Sequence, residues 1–338
     1  TRPAEMSMSI TCEQCGLSYA GGRGLGGIVA QPGLLRDPRF WALLRQVPRF
    51  HRDARRLLER RDDDDPSWAE FLDQGGYPDY FVQHFAIPLV ACVWSCSTED
   101  AAAYPARHLF RFLEHHGMLR VTGSPTWRTV LGGSRTYVDR LVERLPDART
   151  ADPVTAVERH EDGVDVRTAH GSTRYDRVVV ATHADQALEL LADATPVEKA
   201  DLAAITYSRN ETCLHHDSSL LPDAARARAS WNYRVSSCRG GSDRVVVSYW
   251  MNRLQGLADE RDHVVTLGAN DRIDPATVTA RMTYTHPVFT TRAVAAARRL
   301  RDAGGDRLAF AGAHLGWGFH EDGCRSGAAA ARKFGVLW

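Results

Sequence analysis

The stretch RLAFAGAHLGWGFHEDGCRSGAAAARKFG, residues 307–335, carries most of what this sequence says about its fold. An apolar strand ends at Gly312. A loop follows with Gly316, Gly318, His320, Glu321 and Asp322, and then a helix predicted from about Gly323 to Phe334. A helix start offers N–H donors without intrahelical partners and a partial positive charge. Gly323, Ser326, Gly327 and Ala331 give this helix a face of small residues on which another group can come close to the backbone. Such a site suits an acceptor that gains negative charge in reaction, as a flavin does at its N1 and O2 edge when it takes a hydride. A glycine-rich turn before a tightly packed helix is the competing reading.

Two upstream stretches favour the ligand reading. In VLGGSRTYVDRL, residues 130–141, Gly132 and Gly133 separate a strand from a helix, which again permits close backbone approach. In YDRVVVATHADQALELL, residues 175–191, a buried strand ends in small residues at Ala181 and Thr182. Open α/β sheets hold ligands at the carboxyl ends of such strands. Between the two stretches a meander is predicted from PVTAVERH, VDVRTA and TRY, joined by the turns EDG and HGS.

The bulk numbers set limits. A chain of 338 residues can bury a large core and form two lobes. Forty-two basic side chains balance forty-two acidic ones, so no net field draws nucleic acid, and no nucleic-acid partner is expected. Lys199 and Lys333 are the only lysines. No apolar run nears the roughly 20 residues needed to span a bilayer. Seven cysteines spread along the chain read as reduced thiols in a cytoplasm.

The first half contains helices and a hairpin. MSMSITCEQCGLSYA, residues 6–20, is predicted to form two short strands joined by a turn around Gly16. A helix follows over 38–61, kinked or divided at Pro48 and stopped by the run Asp62–Asp65 and Pro66. Arg45, Arg49, Arg52, Arg56 and Arg60 form a basic stripe on it, which could rest on anionic lipid at the inner face of a membrane; a solvated face is the plainer reading. Ser67 is expected to cap the helix after it, and residues 77–117 read as mostly helical, broken at Pro88 and Pro105. YSRNETCLHH, RASWNYRVS, RVVVSYWMN and HVVTLG, all between residues 205 and 268, read as strands, and residues 290–302 as a helix.

The order of a GG-helix, a meander, VVVAT and a terminal FAG…DG…SG…A resembles the flavin-containing amine oxidase superfamily. More narrowly, the chain is similar to the bacterial NAD/FAD-binding oxidoreductase branch associated with cyclopropane-fatty-acid synthase. PAEMSMS, FWALL, PLVACVWS, PARHLFRFLEHHGML, GGSRTYV, SWNYR, YWMNRLQGL, THPVFT and GFHEDGCRSG carry that likeness, nearly from one end to the other. The resemblance implies an α/β plus α+β fold: a discontinuous, Rossmann-like FAD lobe with an inserted substrate lobe of mixed sheet and helices. Residues 131–190 and 306–338 would belong to the FAD lobe, and 1–125 and 195–303 to the substrate lobe. Gly132, Gly133 and Ser134 would lie by the FAD, Val154 on its adenine side, and Gly312, Asp322, Gly323 and Cys324 at its flavin end. The family's dinucleotide fingerprint is expected upstream of Thr1, because GGRGLGGIVA, residues 21–30, has the G-x-G-x-x-G letters but meets Pro32 too soon for the required helix. The first βαβ of the FAD lobe is therefore expected to be absent from this chain.

Trp317 and His320 are the candidate catalytic residues: an aromatic shapes a water-excluding pocket, and an imidazole can take a proton. A structural histidine is the alternative for His320. Of Tyr249, Trp250 and Asn252, one face should look into a cavity, with Trp250 read as core. His215 and His216 should point to opposite faces of a strand, and Cys92 and Cys96 should serve packing. With no second C-x-x-C, Cys12 and Cys15 do not make a zinc site by spacing, and no metal is expected. The resulting reading is an FAD-dependent oxidoreductase that takes hydride from a small-molecule or acyl-lipid substrate. An amine oxidase of the same fold, a noncatalytic flavin-fold accessory protein, and a zinc or redox protein using Cys12 and Cys15 are the alternatives. Neither lysine is expected to hold the water that many amine oxidases place near flavin N5.

Overall fold

A computed structural model describes residues 1–60, 65–120, 125–239 and 245–336. Its chain forms two compact units, Thr1–Leu141 with Arg209–His286, and Val142–Ser208 with Pro287–Trp338. Gly132, Gly133 and Ser134, with most of the helix that follows them, therefore fall in the first unit. No helix among the described residues is long and apolar enough to cross a membrane.

A seven-stranded mixed sheet forms the centre of the first unit. Its strand order is Val278–Pro287, Tyr207–His215, Val264–Leu267, Val246–Trp250, Trp231–Val235, Met8–Cys12 and Ser18–Gly21. Trp231–Val235 runs parallel to Met8–Cys12, while the hairpin and the later neighbours pair antiparallel. The hairpin turns where expected, with Gly16 at φ +71°, a conformation that a side chain disfavours. Buried polar side chains link neighbouring strands. Ser9 Oγ donates to Asn232 Oδ1 at 2.8 Å, and Ser248 and His215 both reach Thr266 Oγ1 at 2.8 Å.

GGRGLGGIVA ends the second hairpin strand and forms one short helix, Gly24–Ile28. The strand before it is antiparallel to its neighbour, so these glycines have no βαβ setting.

The helix Pro38–Glu59 runs through Pro48 without dividing, with Asp37 as its N-cap. Asp62–Asp64 of the aspartate run lie outside the described residues. Arg49, Arg52 and Arg56 of the basic stripe gather around Asp53 at 3.6–3.7 Å, and Arg49 also reaches the carbonyl of Gly75. Ser67 and Glu70 form a complete capping box on the helix Trp68–Gln74. Phe50, buried to 1% exposure, meets Trp68, Phe71, Phe81, Phe85 and Phe110 at ring separations of 5.6–6.5 Å.

The second unit contains the predicted meander, Val154–Arg159, Val164–Thr168 and Gly171–Tyr175, as a three-stranded antiparallel sheet. Beside it Val178–Val180 pairs parallel with Leu308–Phe310. The helices Ala184–Leu190, Pro196–Ala203 and Thr291–Leu300 cover a mainly aliphatic core in which Leu202, Leu300, Leu308 and Phe310 pack with Ala184, Ala187, Ala296 and Ala297. Two buried acids anchor these helices. Glu198 takes two hydrogen bonds from Arg159 at 2.7 and 2.8 Å, and Asp201 pairs with Arg299.

Candidate functional site

The two parallel strands of the second unit end side by side, and the chain turns sharply after each. Past Val180, Thr182 and His183 lead into the helix Ala184–Leu190. Past Phe310 come Gly312, one 3-10 turn at Ala313–Leu315, and the terminal helix His320–Lys333. That helix starts a turn earlier than the sequence predicts. His320, Glu321 and Asp322 form its first turn because Asp322 accepts a hydrogen bond from the Phe319 N–H at 3.1 Å, as a capping acid does.

Close packing explains the glycines. Gly312 lies against the His314 ring, where a Cβ would collide, and Gly316 lies equally close to the Asp322 carboxylate. Ser326 Oγ bridges strand end and helix, accepting from the Gly312 N–H at 2.9 Å and donating to the Gly323 carbonyl at 2.8 Å. By contrast, a Cβ on Gly323 would find only the Ala313 nitrogen, at 3.9 Å, and one on Gly327 would find open space. Successive turns of one helix face are thus bare backbone beside the Gly312–Ala313 turn. The helix start adds a positive pole beside this turn.

Each residue singled out from sequence has a definite place. Trp317 and Asp322 line a cavity of about 320 Å³ with Arg301, Leu315 and Arg325. His320 and Cys324 are exposed on the terminal helix, and Val154 is exposed at the start of the meander. Gly132 and Gly133, at φ +76° and +83°, make a tight turn closed by Thr136 Oγ1 donating to the Gly133 carbonyl at 2.8 Å. Ser134 follows them in the first unit, whereas Gly312, Trp317, His320, Asp322, Gly323 and Cys324 lie together in the second.

Sequence reading missed the histidine that is buried here. His314 is 7% exposed, and burial, reinforced by His183, pulls its pKa down to about 4, so it is neutral at ordinary pH. His183 stacks on Tyr207 at 4.2 Å, and Tyr207 Oη accepts the Ala184 N–H at 2.9 Å; burial pushes the Tyr207 hydroxyl up to about 12. The histidines shortly past the two strand ends, His183 after Val180 and His314 after Phe310, would have been the available signal.

The first unit holds a larger cavity of about 510 Å³. Met6, Met8, Phe50, Phe85, Leu113 and Trp231 give it apolar walls. Its one acid, Glu5, is paired with Arg23 at 3.1 Å and Arg253 at 2.7 Å, and its histidine, His51, has a pKa lowered by burial and by Arg55. Trp250 does not pack as core: its Nε1–H donates to Asp262 at 2.8 Å, with the Arg253 guanidinium over its ring. Tyr249 turns the other way, its hydroxyl 3.0 Å from Ser95 Oγ. His215 and His216 bond to Thr266 and to the Asp262 carbonyl respectively. Cys92 and Cys96 are buried packing residues, with thiol pKa values raised by burial.

The sequence pattern of the family described as flavin-containing amine oxidoreductase matches residues 33–333. No curated protein matches the chain closely enough to count as a relative. Several solved structures share its fold. Cyclohexylamine oxidase from Brevibacterium oxydans IH-35A is 15% identical with a TM-score of 0.65, the alignment covering 98% of this chain and 81% of that one. A putative protoporphyrinogen oxidase from Exiguobacterium sp. 255-15 is 14% identical with a TM-score of 0.61, covering 98% and 80%. A CLA-producing fatty acid isomerase from P. acnes is 15% identical with a TM-score of 0.61, covering 99% and 81%.

Proposed function

This chain belongs to the family of flavin-containing amine oxidoreductases, its cofactor is accordingly FAD, and from that premise we propose that it oxidises a lipophilic substrate, an acyl chain rather than an amine. The observation that carries the choice of substrate is the 510 Å³ cavity, whose walls are apolar and whose only carboxylate among the described residues is neutralised by two arginines. Its volume lies within the range of small-molecule sites, about 300–1,000 Å³. An ammonium group entering it would lose its water and find no unpaired acid, which is unfavourable. An aliphatic chain would gain about 25 cal/mol for each Å² it buries. Arg120, on the same lining, can pair with an anionic head. The fatty acid isomerase among the structural neighbours is in keeping with such a substrate.

The lysines favour the same choice. Lys333 Nζ is occupied by the backbone carbonyls of Asp302, Ala303 and Leu308, and Lys199 is exposed on its helix. Neither is available to hold a water in the manner of many amine oxidases.

When bound, FAD supplies the hydride acceptor. Gly312, Ala313 and Gly323 would hold its polar edge, and the start of the terminal helix would favour negative charge there. His314 packs on Gly312 and is neutral at ordinary pH, so the helix start and not the imidazole supplies the positive potential at that edge. The methionines and aromatics of the first-unit cavity exclude water from the substrate.

Val93 lines the cavity, and Val93→Trp fills part of it. We expect this variant to keep its flavin and to raise KM for long acyl substrates by about tenfold, the equivalent of roughly 1.4 kcal/mol. An unchanged KM for a long-chain substrate would refute the assignment of this cavity.

A further inference from the structure

Apart from the flavin chemistry, the first unit brings together four soft ligands that lie far apart in sequence. Cys12, Cys15, His84 and Cys238 have their ligating atoms all within 4.8 Å of one another. Cys12 Sγ lies 3.7 Å from Cys238 Sγ, and Cys15 Sγ lies 3.8 Å from His84 Nε2. Zinc–sulfur bonds of about 2.3 Å place two tetrahedral sulfurs about 3.8 Å apart, and a sulfur and an imidazole nitrogen about 3.5 Å apart. We propose that Cys12, Cys15, His84 and Cys238 form a closed, structural Zn²⁺ site.

The surroundings orient each ligand as a zinc site requires. His84 Nδ1 sits 2.9 Å from the Tyr80 carbonyl, so Nδ1 carries the proton and Nε2 presents its lone pair toward the sulfurs. The Tyr80 hydroxyl is 3.7 Å from Cys15 Sγ, and the Arg39 guanidinium lies 5.4 Å from the Tyr80 ring centre. Backbone N–H groups of Cys15 and Leu17 reach the sulfurs of Cys12 and Cys15. The left-handed Gly16 that follows Cys15 lets the turn close this way. Gln14 Oε1 accepts from the Cys238 N–H at 2.8 Å and so holds the third cysteine against the hairpin.

His84 also lies in a five-residue π-helical turn, Val82–Ala86. Such widened turns recur where a side chain must be aimed at a functional centre. His84 itself is fully buried, and Cys12 is 1% exposed. Four protein ligands leave no open position for substrate, which makes the site structural rather than catalytic. Binding releases the thiol protons to solvent as the thiolates form. The metal would staple the hairpin, the helical segment and the loop after Trp231–Val235 to one another. Met8, four residues before Cys12, and Phe85, next to His84, both line the apolar cavity, so the staple also fixes two of its walls.

The test is metal analysis of this chain, produced with zinc in the medium and purified without chelator. One zinc per chain is expected. His84→Ala and Cys238→Ser should each lower zinc content at least about tenfold. His84→Cys, which restores a fourth soft ligand, should retain it. Cobalt offers a readout on the unaltered chain: Co²⁺ in place of zinc should give tetrahedral ligand-field absorption in the red, clear of flavin bands. A chain that takes up neither metal overturns the proposal. So does full zinc occupancy in both His84→Ala and Cys238→Ser, or a Cys12–Cys238 disulfide as the resting state of the freshly isolated protein. None of these outcomes depends on flavin content or substrate.

Discussion

In the first unit Phe50, Trp68, Phe71, Phe81 and Phe110 interlock ring against ring, whereas the second unit packs mainly aliphatic side chains and ties its helices with ion pairs to the buried acids Glu198 and Asp201. Large rings bury much area per residue and leave large voids when removed. In the second unit Arg159 between Asp193 and Glu198, and Arg299 against Asp201, add charged ties to an aliphatic core. A unit held by rings should fail by truncation. A unit held by charges should fail by acid and by loss of a partner.

The largest expected effect is therefore Phe50→Ala, at about 4 kcal/mol of stability by chemical denaturation. A loss under about 1 kcal/mol would mean that the ring cluster is not the core. Arg159→Met should cost about 3 kcal/mol, because it leaves Glu198 buried without its cation. Replacing Arg159 and Glu198 together by apolar residues should recover most of that loss, and a double variant as unstable as the single one would contradict the ion-pair account.

Acid should act on both units, since burial also lowers the pKa of His51 and His215 in the first, but the second offers two groups with distinct windows. His314 is held neutral with its pKa lowered from 6.5 to about 4. Its contribution is full above about pH 6.5. Between there and about pH 4 the unfolded chain takes up a proton that the folded chain refuses, so stability falls with falling pH, by about 3 kcal/mol in total. In Glu198, burial pushes the carboxyl pKa up, but the bonds from Arg159 and Thr195 outweigh it and leave the pKa lowered. Its contribution is complete above its unfolded value of 4.5 and is lost as pH falls through the folded one, in a second and lower window. Stability of the wild type and His314→Gln across pH 3–7 checks this, the variant having the flatter upper limb.

The smallest structural effect should come from Gly323→Leu. Its Cβ meets only the Ala313 nitrogen, at 3.9 Å, an ordinary contact, so the midpoint of unfolding should hardly move while bound FAD falls several-fold. A variant that keeps its flavin would remove Gly323 from the cofactor slot.

How legible each region was follows from the same contrast. The candidate flavin edge is nearly continuous in sequence, residues 307–335, and its strand, loop and helix could be read from periodicity and glycine spacing. Its details could not. The capping by Asp322 that starts the helix at His320, and the burial of His314, depend on packing against Gly316 and Gly312. The meander and the hairpin around Gly16 were equally readable because their residues are local. The strand Val278–Pro287 was not recognised although Val278, Ala280, Met282 and Tyr284 alternate with polar residues; it lies at the sheet edge and none of its side chains is fully buried. The cysteine and histidine cluster was unreadable from spacing because its members come from residues 12 to 238 and meet only through sheet pairing and the packing of the Val82–Ala86 turn on the hairpin.

The assignment of the chain as a flavoenzyme acting on acyl chains meets its most direct test in anaerobic reduction of the bound flavin. The protein, saturated with FAD and free of oxygen, is mixed in turn with a long-chain unsaturated fatty acid, its phospholipid ester, and primary amines. Bleaching of the flavin's visible absorbance by an acyl compound and not by amines is the predicted result. Bleaching by amines alone, or a protein that stays colourless with added FAD, would contradict it.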